Sequence, residues 1–223
     1  VLQIELFKEV STVDEWLEIK NSLSENYMLI ADLDFQNRIN PNLGNFSGVL
    51  DGNNHTISNL TSTSGDGVII TTLSGTVKNL YAEHISKTNS STYNGLIANT
   101  TGTGSAIIEN VHVRDIKLTL SIRVGGIIGT AYGTHITNCS VTDIQLFNIQ
   151  FSNTDLRIGG LVGNLDNATI ENSYVQNLNF ETNYSSITGI GGIIGCASNS
   201  SVQNVYATGI IKANSQNVGG IVG

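Results

Sequence analysis

The sequence predicts an all-β fold: a right-handed parallel β-helix with coils of about 30 residues and a short N-terminal capping helix. Three observations support this prediction. A glycine-rich hexapeptide recurs four times, an asparagine follows it at a constant distance, and the composition is poor in helix formers. Gly, Asn, Ser, Thr, Ile and Val dominate the chain, and these residues favour strands and turns.

The hexapeptide reads VGGIIG at 124–129, IGGLVG at 158–163, IGGIIG at 190–195 and VGGIVG at 218–223. Its second glycines are 34, 32 and 28 residues apart, a period typical of stacked repeats. We expect each hexapeptide to form one short strand that permits close backbone approach. The alternation of side chains along this strand leaves open whether Ile127 and its equivalents in the other hexapeptides are covered or exposed. We call these residues the row of Ile127. An exposed apolar row would be a binding stripe, and we favour coverage.

In each complete repeat an asparagine lies 12 residues after the second glycine, within the pattern [IV]-x-Asn. The apolar residues before and after it have opposite parity, so both sets face the core only where the chain turns a corner. Asparagine tolerates the left-handed conformation of such a corner. The corner asparagines are expected to stack and to hydrogen-bond through their amides. They are Asn79, Asn110, Asn138, Asn172 and Asn204.

The rest of each coil varies in length, from 16 to 22 residues between the asparagine and the next second glycine. Constant length in one half and variable length in the other predict loops on one side of the solenoid, where we expect recognition. Alternating apolar residues predict a third strand in each coil. These strands are expected at 113–121, 142–151, 176–183 and 208–215.

Residues 1–60 do not follow the repeat and are predicted to form an N-terminal cap, with the β-helix repeats occupying 61–223. STVDEWLEIKNSL at 11–23 predicts an amphipathic helix that covers the first core layer. Ser11 is its expected N-cap, with Asp14 in place of the capping-box glutamate.

The first coils are less regular. A strand is predicted at 27–35, and Asn59 is the first partial corner. Degenerate hexapeptides place Gly67 and Gly95 where the later coils have their second glycine. Because Val1 is not an initiator methionine and the chain stops at Gly223, inside a repeat, we expect it to be part of a longer protein.

The bulk composition excludes several partners. The chain has 223 residues and a formal net charge of −8, which opposes binding to nucleic acid or an anionic membrane. No apolar run reaches the ~20 residues of a membrane span, so we expect no membrane insertion. Cys139 and Cys196 are too few for a disulfide framework and are expected to be small buried apolar residues.

No motif predicts a metal site or a cofactor. HExxH and Gly-x-Ser-x-Gly are both absent from the sequence, and the paired glycines lack the lysine of a phosphate-binding loop. Solvated strand positions are expected for the histidines. These are His55, His84, His112 and His135.

Acidic residues could serve a carbohydrate-active enzyme, a class that also uses β-helix folds. Asp32 and Asp34 fall on one strand face and could bind calcium or act as acid and base, with Arg38 as the local basic group. We favour a solvated face for this pair. Three acidic residues of the variable halves could line one side of the solenoid: Asp115, Asp143 and Glu181. We expect no catalytic residue in this chain, and the sequence does not specify ligand-binding residues.

The hexapeptides resemble the GLUG repeats of secreted bacterial proteins. The segments YMLIADLDF at 27–35 and FSGVLDGNNHTISNL at 46–60 are similar to the region that commonly precedes such arrays. GLUG repeats occur in surface adhesin-like proteins and in the N-terminal regions of streptococcal immunoglobulin A1 peptidases. The resemblance implies an architecture and an extracellular location, secreted or attached to the cell surface. It brings no catalytic residues.

Three functions follow as hypotheses. The first is a non-catalytic β-helix segment that acts in adhesion or as a binding scaffold. The second is the substrate-recognition region of a large secreted metallopeptidase, and the third is a polysaccharide-active enzyme. The expected partners are a host or cell-surface protein or glycan, and further repeats of the same chain at the C-terminal end.

Overall fold

The computed structural model is a β-solenoid of about 5 turns with coils of about 31 residues, which confirms the predicted parallel stacking. It describes residues 6–39, 42–62, 68–87, 93–102, 105–119, 122–147, 155–182, 187–215 and 217–223. Within these ranges no helix has the length and apolar character that crossing a membrane requires.

Three parallel sheets run along the solenoid. The bent sheet contains Lys8–Val10, Tyr27–Leu29, Leu33–Asp34, Val49–Asp51, Thr56–Ser58, Thr61–Ser62, Thr76–Lys87, Ile107–Thr119, His135–Thr137, Ser140–Phe147, Thr169–Glu171, Tyr174–Thr182, Ser201–Gln203 and Tyr206–Ala213. The second sheet contains Tyr93–Asn94, Arg123–Val124, Leu156–Gly159, Ile187–Gly191 and Val218–Gly219. The third sheet contains Asn45–Phe46, Ile70–Leu73, Ala98–Thr101, Ile128–Tyr132, Val162–Asp166 and Ile194–Ser198.

The capping helix is shorter than predicted and starts one residue later. It spans Val13–Glu18 and continues as a 3₁₀ turn at Ile19–Asn21. The N-cap is Thr12 and not Ser11, because only Thr12 has a glutamate three residues later. The Glu15 carboxylate accepts hydrogen bonds from the Thr12 and Ser11 amides at 3.1 and 2.7 Å.

The helix buries Trp16 against the first core layer, edge-on to the Phe35 ring at 6.1 Å. The predicted strand at 27–35 is divided into two strands of the bent sheet. Parallel pairing reaches back to Lys8–Val10, so the stacking begins within the residues assigned to the cap.

The five predicted asparagine corners are confirmed. All five asparagines have φ between 49° and 52°, the left-handed region. The Asn110 side-chain amide donates to the Asn79 Oδ1 at 3.0 Å, and the Asn204 amide donates to the Asn172 Oδ1 at 3.0 Å. Asp51 extends this ladder by accepting from the Asn79 amide at 3.0 Å. Corner position and coil register are therefore held by the same side chains.

A second corner row lies five residues after the first. Its members have positive φ and are Asn59, His84, Asp115, Asp143, Asn177 and Gly209. The Asn177 amide donates to the Asp143 Oδ1 at 2.9 Å, as the Asn59 amide does to Asp34. Asn59 therefore belongs to this row and not to the first. A third row contains Gly133, Asn167 and Asn199.

The hexapeptide is not one strand but the turn between two sheets. Val124 ends a strand of the second sheet, and Ile128 begins a strand of the third. The prediction of one strand is wrong because it assumed extended backbone throughout, whereas the chain changes direction between these residues. Val124, Ile127 and Ile128 are all fully buried, so the row of Ile127 is covered as favoured.

The glycines of the hexapeptide permit two close approaches. A Cβ on Gly160 would lie 2.8 Å from the Val175 Cγ1, so the second glycine meets the bent sheet across the core. A Cβ on Gly163 would lie 2.6 Å from the Val124 nitrogen, so the third glycine lets the second and third sheets touch through their backbones. Larger side chains have no room at either position.

The segment after each corner asparagine continues the bent sheet. The expected third strand is therefore part of the same sheet as the corner, as in Ile107–Thr119. Much of the length variation falls between this sheet and the second sheet, at 88–92, 120–121, 148–154 and 183–186. These residues lie outside the described ranges, and so does Gly67.

The register of the second hexapeptide-like element differs from the prediction by one residue. Asn94 pairs with Val124 and Ala98 with Ile128. Gly95 therefore takes the place of the first glycine of the pair. The insertion before Asn110 changes the distance from the glycine to the asparagine, so this distance does not reveal the one-residue shift.

The cysteines differ in burial. Cys139 is buried as predicted, and burial raises the pKa of its thiol to about 12. Cys196 is only half-buried, and both thiols are free. Cys139 thus behaves as a small apolar residue of the core.

Gly160→Ala should lower the free energy of unfolding by about 1–3 kcal/mol, since its methyl group overlaps Val175 and the Gly192 carbonyl. Gly220→Ala is the matched control. It stands at the same hexapeptide position, but no atom lies within 4 Å of its added Cβ. Urea unfolding of both variants measures the difference. Equal stability of the two would contradict the close approach.

Candidate functional site

A groove of about 620 Å³ lies on the outer face of the bent sheet, between the first and second corner rows. Each coil contributes outward side chains two and four positions after its corner asparagine. We call this concavity the corner groove. Its lining includes Thr56, Tyr81, Glu83, His112, Arg114, Ser140, Thr142, Asp143 and Tyr174.

The side chains two positions after the asparagine stack in register as a row of rings with one gap. The row, which we call the ring row, consists of Tyr81, His112, Ser140, Tyr174 and Tyr206. Tyr81 and His112 have ring centroids 5.1 Å apart, and Tyr174 and Tyr206 are parallel at 5.0 Å. Ser140 carries no ring and separates the two pairs.

His112 is fixed in place. Its Nε2 contacts the Asn110 Oδ1 at 3.0 Å, and its Nδ1 contacts the Ser140 Oγ at 2.8 Å. Because Asn110 offers an acceptor, this network assigns the proton of the neutral ring to Nε2, and the Ser140 hydroxyl donates to Nδ1. Burial lowers the pKa of His112, which favours the neutral form. His112 is therefore half-buried and bonded, not a solvated strand histidine.

Polar groups border the ring row. The Arg114 Nε donates to the Glu83 carboxylate in the neighbouring coil. Asp143 accepts from Asn177 through Oδ1, and the Thr142 hydroxyl lies in the same coil as Ser140. The groove thus combines aromatic rings with hydrogen-bond acceptors and donors on one sheet, an arrangement suited to binding.

The predicted acidic pair is not on one strand face. Asp32 precedes its strand and accepts from the Thr56 amide at 2.8 Å, next to His55 at 3.2 Å. Asp34 accepts from the Asn59 amide at 2.9 Å and so bonds to a member of the second corner row. Both carboxylates stabilise turns between coils.

Arg38 is brought near one of these aspartates only. Arg38, Asp34 and Asp14 line a second cleft of about 200 Å³, and the Arg38 Nη1 pairs with Asp14 at 3.1 Å. Asp32 does not line this cleft. The structure therefore does not assemble the acid, base and cation that an acid–base mechanism would use at these three residues.

The remaining predicted acidic residues do not form one line either. Asp115 and Asp143 are neighbouring members of the second corner row, and Asp115 contacts His84 at 3.5 Å. Glu181 lies in a strand of a later coil and pairs with Lys212 at 3.5 Å. Among the residues that the structure describes, no three His, Cys, Asp or Glu side chains gather as a possible metal site.

Sequence reasoning missed the second corner row and the corner groove. The sequence carries a signal for this row, because an Asn, Asp, His or Gly stands five residues after each corner asparagine. The signal is weak because the position accepts four residue types. Once the second row is known, the ring row can be read from the sequence two positions after each asparagine.

The comparisons with known proteins agree with the predicted resemblance. The model of the GLUG motif matches residues 121–145, 155–180 and 186–212. Each match contains one hexapeptide and its corner asparagine, so the chain carries three GLUG repeats. No curated protein matches the sequence.

A similar solved structure is a crystal structure from Bacteroides ovatus described as a putative immunoglobulin A1 protease. The TM-score is 0.69 with 18% sequence identity, over 95% of this chain and 83% of that one. At this identity the likeness concerns the fold.

Asp32 and Asp34 should titrate below 3.8 in the folded protein. The amide of Thr56 holds the pKa of Asp32 below its usual value, and the Asn59 side chain does the same for Asp34. A lowered pKa contributes stability that is present above 3.8 and is lost as the pH falls through the folded value. Carboxyl NMR titration of native and urea-unfolded protein measures both states. A native midpoint above 3.8 at either residue would contradict the turn-stabilising role and suit a general acid.

Proposed function

We propose that this chain is a non-catalytic β-helix region of an extracellular protein and acts in adhesion or as a binding scaffold. The corner groove carries the proposal. It presents the rings of Tyr81, His112 and Tyr174 and a polar border on a sheet that has a corner row at both sides. The proposed partner is a host or cell-surface protein or glycan.

The roles of the carboxylates support a non-catalytic chain. Asp32, Asp34 and Asp143 each accept a hydrogen bond that joins neighbouring coils. At Asp32 and Asp34 the bond also lowers the pKa of the carboxyl, which makes these two groups poorly suited to act as general acids. These carboxylates stabilise the contacts between neighbouring coils.

The extracellular location is also a proposal, with the protein secreted or attached to the cell surface. It is supported by the GLUG repeats, which resemble those of secreted bacterial proteins. Protease treatment of intact cells that produce the native protein tests it. Digestion without lysis supports the location, and protection until lysis contradicts it.

A second candidate function is the substrate-recognition region of a large secreted metallopeptidase. The structural likeness to the Bacteroides ovatus protein favours it, since that protein is described as a putative immunoglobulin A1 protease. The full-length gene separates the two candidates. A zinc-binding HExxH motif elsewhere in the gene favours the peptidase, and a surface-anchoring signal favours the adhesin.

Incubation with a panel of polysaccharides should give no turnover. Because Asp32 and Asp34 are engaged in turns, we expect reducing-end release and unsaturated-uronate absorbance to equal those of heat-denatured protein. Asp32→Asn serves as the matched variant and should be indistinguishable from wild type. Product release that Asp32→Asn abolishes would overturn the proposal in favour of a polysaccharide-active enzyme.

A further inference from the structure

We infer that His112 is an acid-sensitive link between two coils of the corner groove. In its neutral form the ring joins Asn110 of its own coil to Ser140 of the next coil, and uptake of a proton weakens the contact with Ser140. Such a link operates whichever partner the groove binds, so it goes beyond the proposed function.

The link lies beside the asparagine ladder and connects coils as the ladder does. Asn172 accepts a hydrogen bond through its Oδ1 from Asn204 of the next coil, at 3.0 Å. At Asn110 the Oδ1 contacts the Nε2 of His112, also at 3.0 Å. The ring then reaches the next coil through Nδ1, which lies 2.8 Å from the Ser140 Oγ. His112 therefore carries the connection from a corner asparagine to the following coil.

The two nitrogens of His112 respond differently to a proton. Nε2 carries the hydrogen of the neutral ring and donates to Asn110, so this bond is present in both charge states. Nδ1 accepts from the Ser140 hydroxyl in the neutral ring and becomes a donor when it is protonated. Both groups would then direct a hydrogen at the same space, so the hydroxyl has to turn away. Acid therefore acts on the side of the link that faces Ser140.

Burial makes this rearrangement unfavourable. Ser140 is only 3% exposed, so its hydroxyl hydrogen would lose the Nδ1 acceptor in a place that is closed to solvent. A buried polar group without a partner is costly. The ring itself is half-buried, and burial lowers the pKa of His112 because it disfavours the charged form. Geometry and burial thus both oppose protonation in the folded chain.

The surrounding groups offer the imidazolium little compensation. The Glu83 carboxylate is bonded to Arg114, and the Asp143 carboxylate accepts from a corner asparagine. The Tyr81 ring, whose centroid is 5.1 Å from that of His112, favours a cation, but Tyr81 is 40% exposed and water weakens the attraction. The titratable and charged groups that line the groove around His112 are Tyr81, Glu83, Arg114, Asp143 and Tyr174.

The effect of acid on stability has a definite sign. Because the folded pKa of His112 lies below the ordinary value of 6.5, the unfolded chain binds more protons between the two values. The stabilising contribution of the neutral ring is complete above 6.5 and is lost as the pH falls through the folded value. Protonation also cancels the remaining negative charge of the groove, whose charged lining groups are two carboxylates and one guanidinium. Acid thus changes both the coil junction and the charge of the binding surface.

An NMR titration of the chain with ¹⁵N-labelled histidines tests the link. Above neutral pH the ring of His112 should be the Nε2–H tautomer, and its titration midpoint should lie below 6.5. Ser140→Ala removes the hydroxyl that donates to Nδ1 and should move the midpoint toward 6.5. Thr142→Ala is the matched control. It removes a hydroxyl from the same strand, in register with Arg114 and not with His112, and should keep the wild-type midpoint.

Urea unfolding over the same pH range measures the effect on stability. His112→Gln keeps every other titrating group, so the difference between this variant and wild type isolates His112. The unfolding equilibrium constant of wild type should rise relative to the variant by about tenfold for each pH unit between the unfolded and folded midpoints. Hydrogen exchange locates the change, which we expect in Ile107–Thr119 and Ser140–Phe147 and not in Ile128–Tyr132 of the third sheet.

A midpoint below 6.5 that rises in Ser140→Ala, with a loss of stability in acid that His112→Gln lacks, supports the link. A midpoint at or above 6.5, an unchanged midpoint in Ser140→Ala, or equal pH dependence of His112→Gln and wild type overturns it. If His112→Gln does not fold, the comparison of Ser140→Ala with Thr142→Ala decides. These measurements use no partner, so their failure leaves the proposed function in place, and that function has its own test in the turnover assay.

Discussion

The structure depends on corners that repeat at the same place in every coil. A parallel stack stays in register only if each coil turns where its neighbours turn, and a left-handed residue at a fixed position provides that turn. Asn110 shows both parts of the constraint, since its backbone has φ of 52° and its amide bonds to Asn79 one coil below. The bent sheet, the buried rows behind it and the corner groove in front all follow from these rows.

Glycine provides the second constraint, on the opposite side of the cross-section. At Gly126 and Gly160 the hexapeptide lies against Val141 and Val175 of the bent sheet. The third sheet then approaches the backbone of the second. The core is therefore thin at this edge, and apolar residues such as Ile127 are fully buried in it. The corner rows on one side and the hexapeptide glycines on the other let the chain complete one turn, so that the next coil stacks beside it.

Much of this was predictable, and the failures have physical causes. The corner asparagines could be found because one residue type at constant spacing meets one conformational demand. The second row accepts Asn, His, Asp and Gly, so no single letter marks it. Alternation of side chains predicts one strand for the hexapeptide because it assumes an extended chain. The corner groove was hidden because Ser140 becomes informative only when its neighbours across the coils, His112 and Tyr174, are known.

The most direct test of the account compares Asn172→Ala with Asn172→Gly by urea unfolding at neutral pH. Both variants lose the bond that the Asn204 amide donates to Asn172. Only alanine must also adopt the left-handed conformation at φ 49°, at a cost of about 1–2 kcal/mol. The account predicts that Asn172→Ala is clearly less stable than Asn172→Gly. An alanine variant as stable as the glycine variant, or more stable, would contradict the claim that left-handed corners hold the solenoid together.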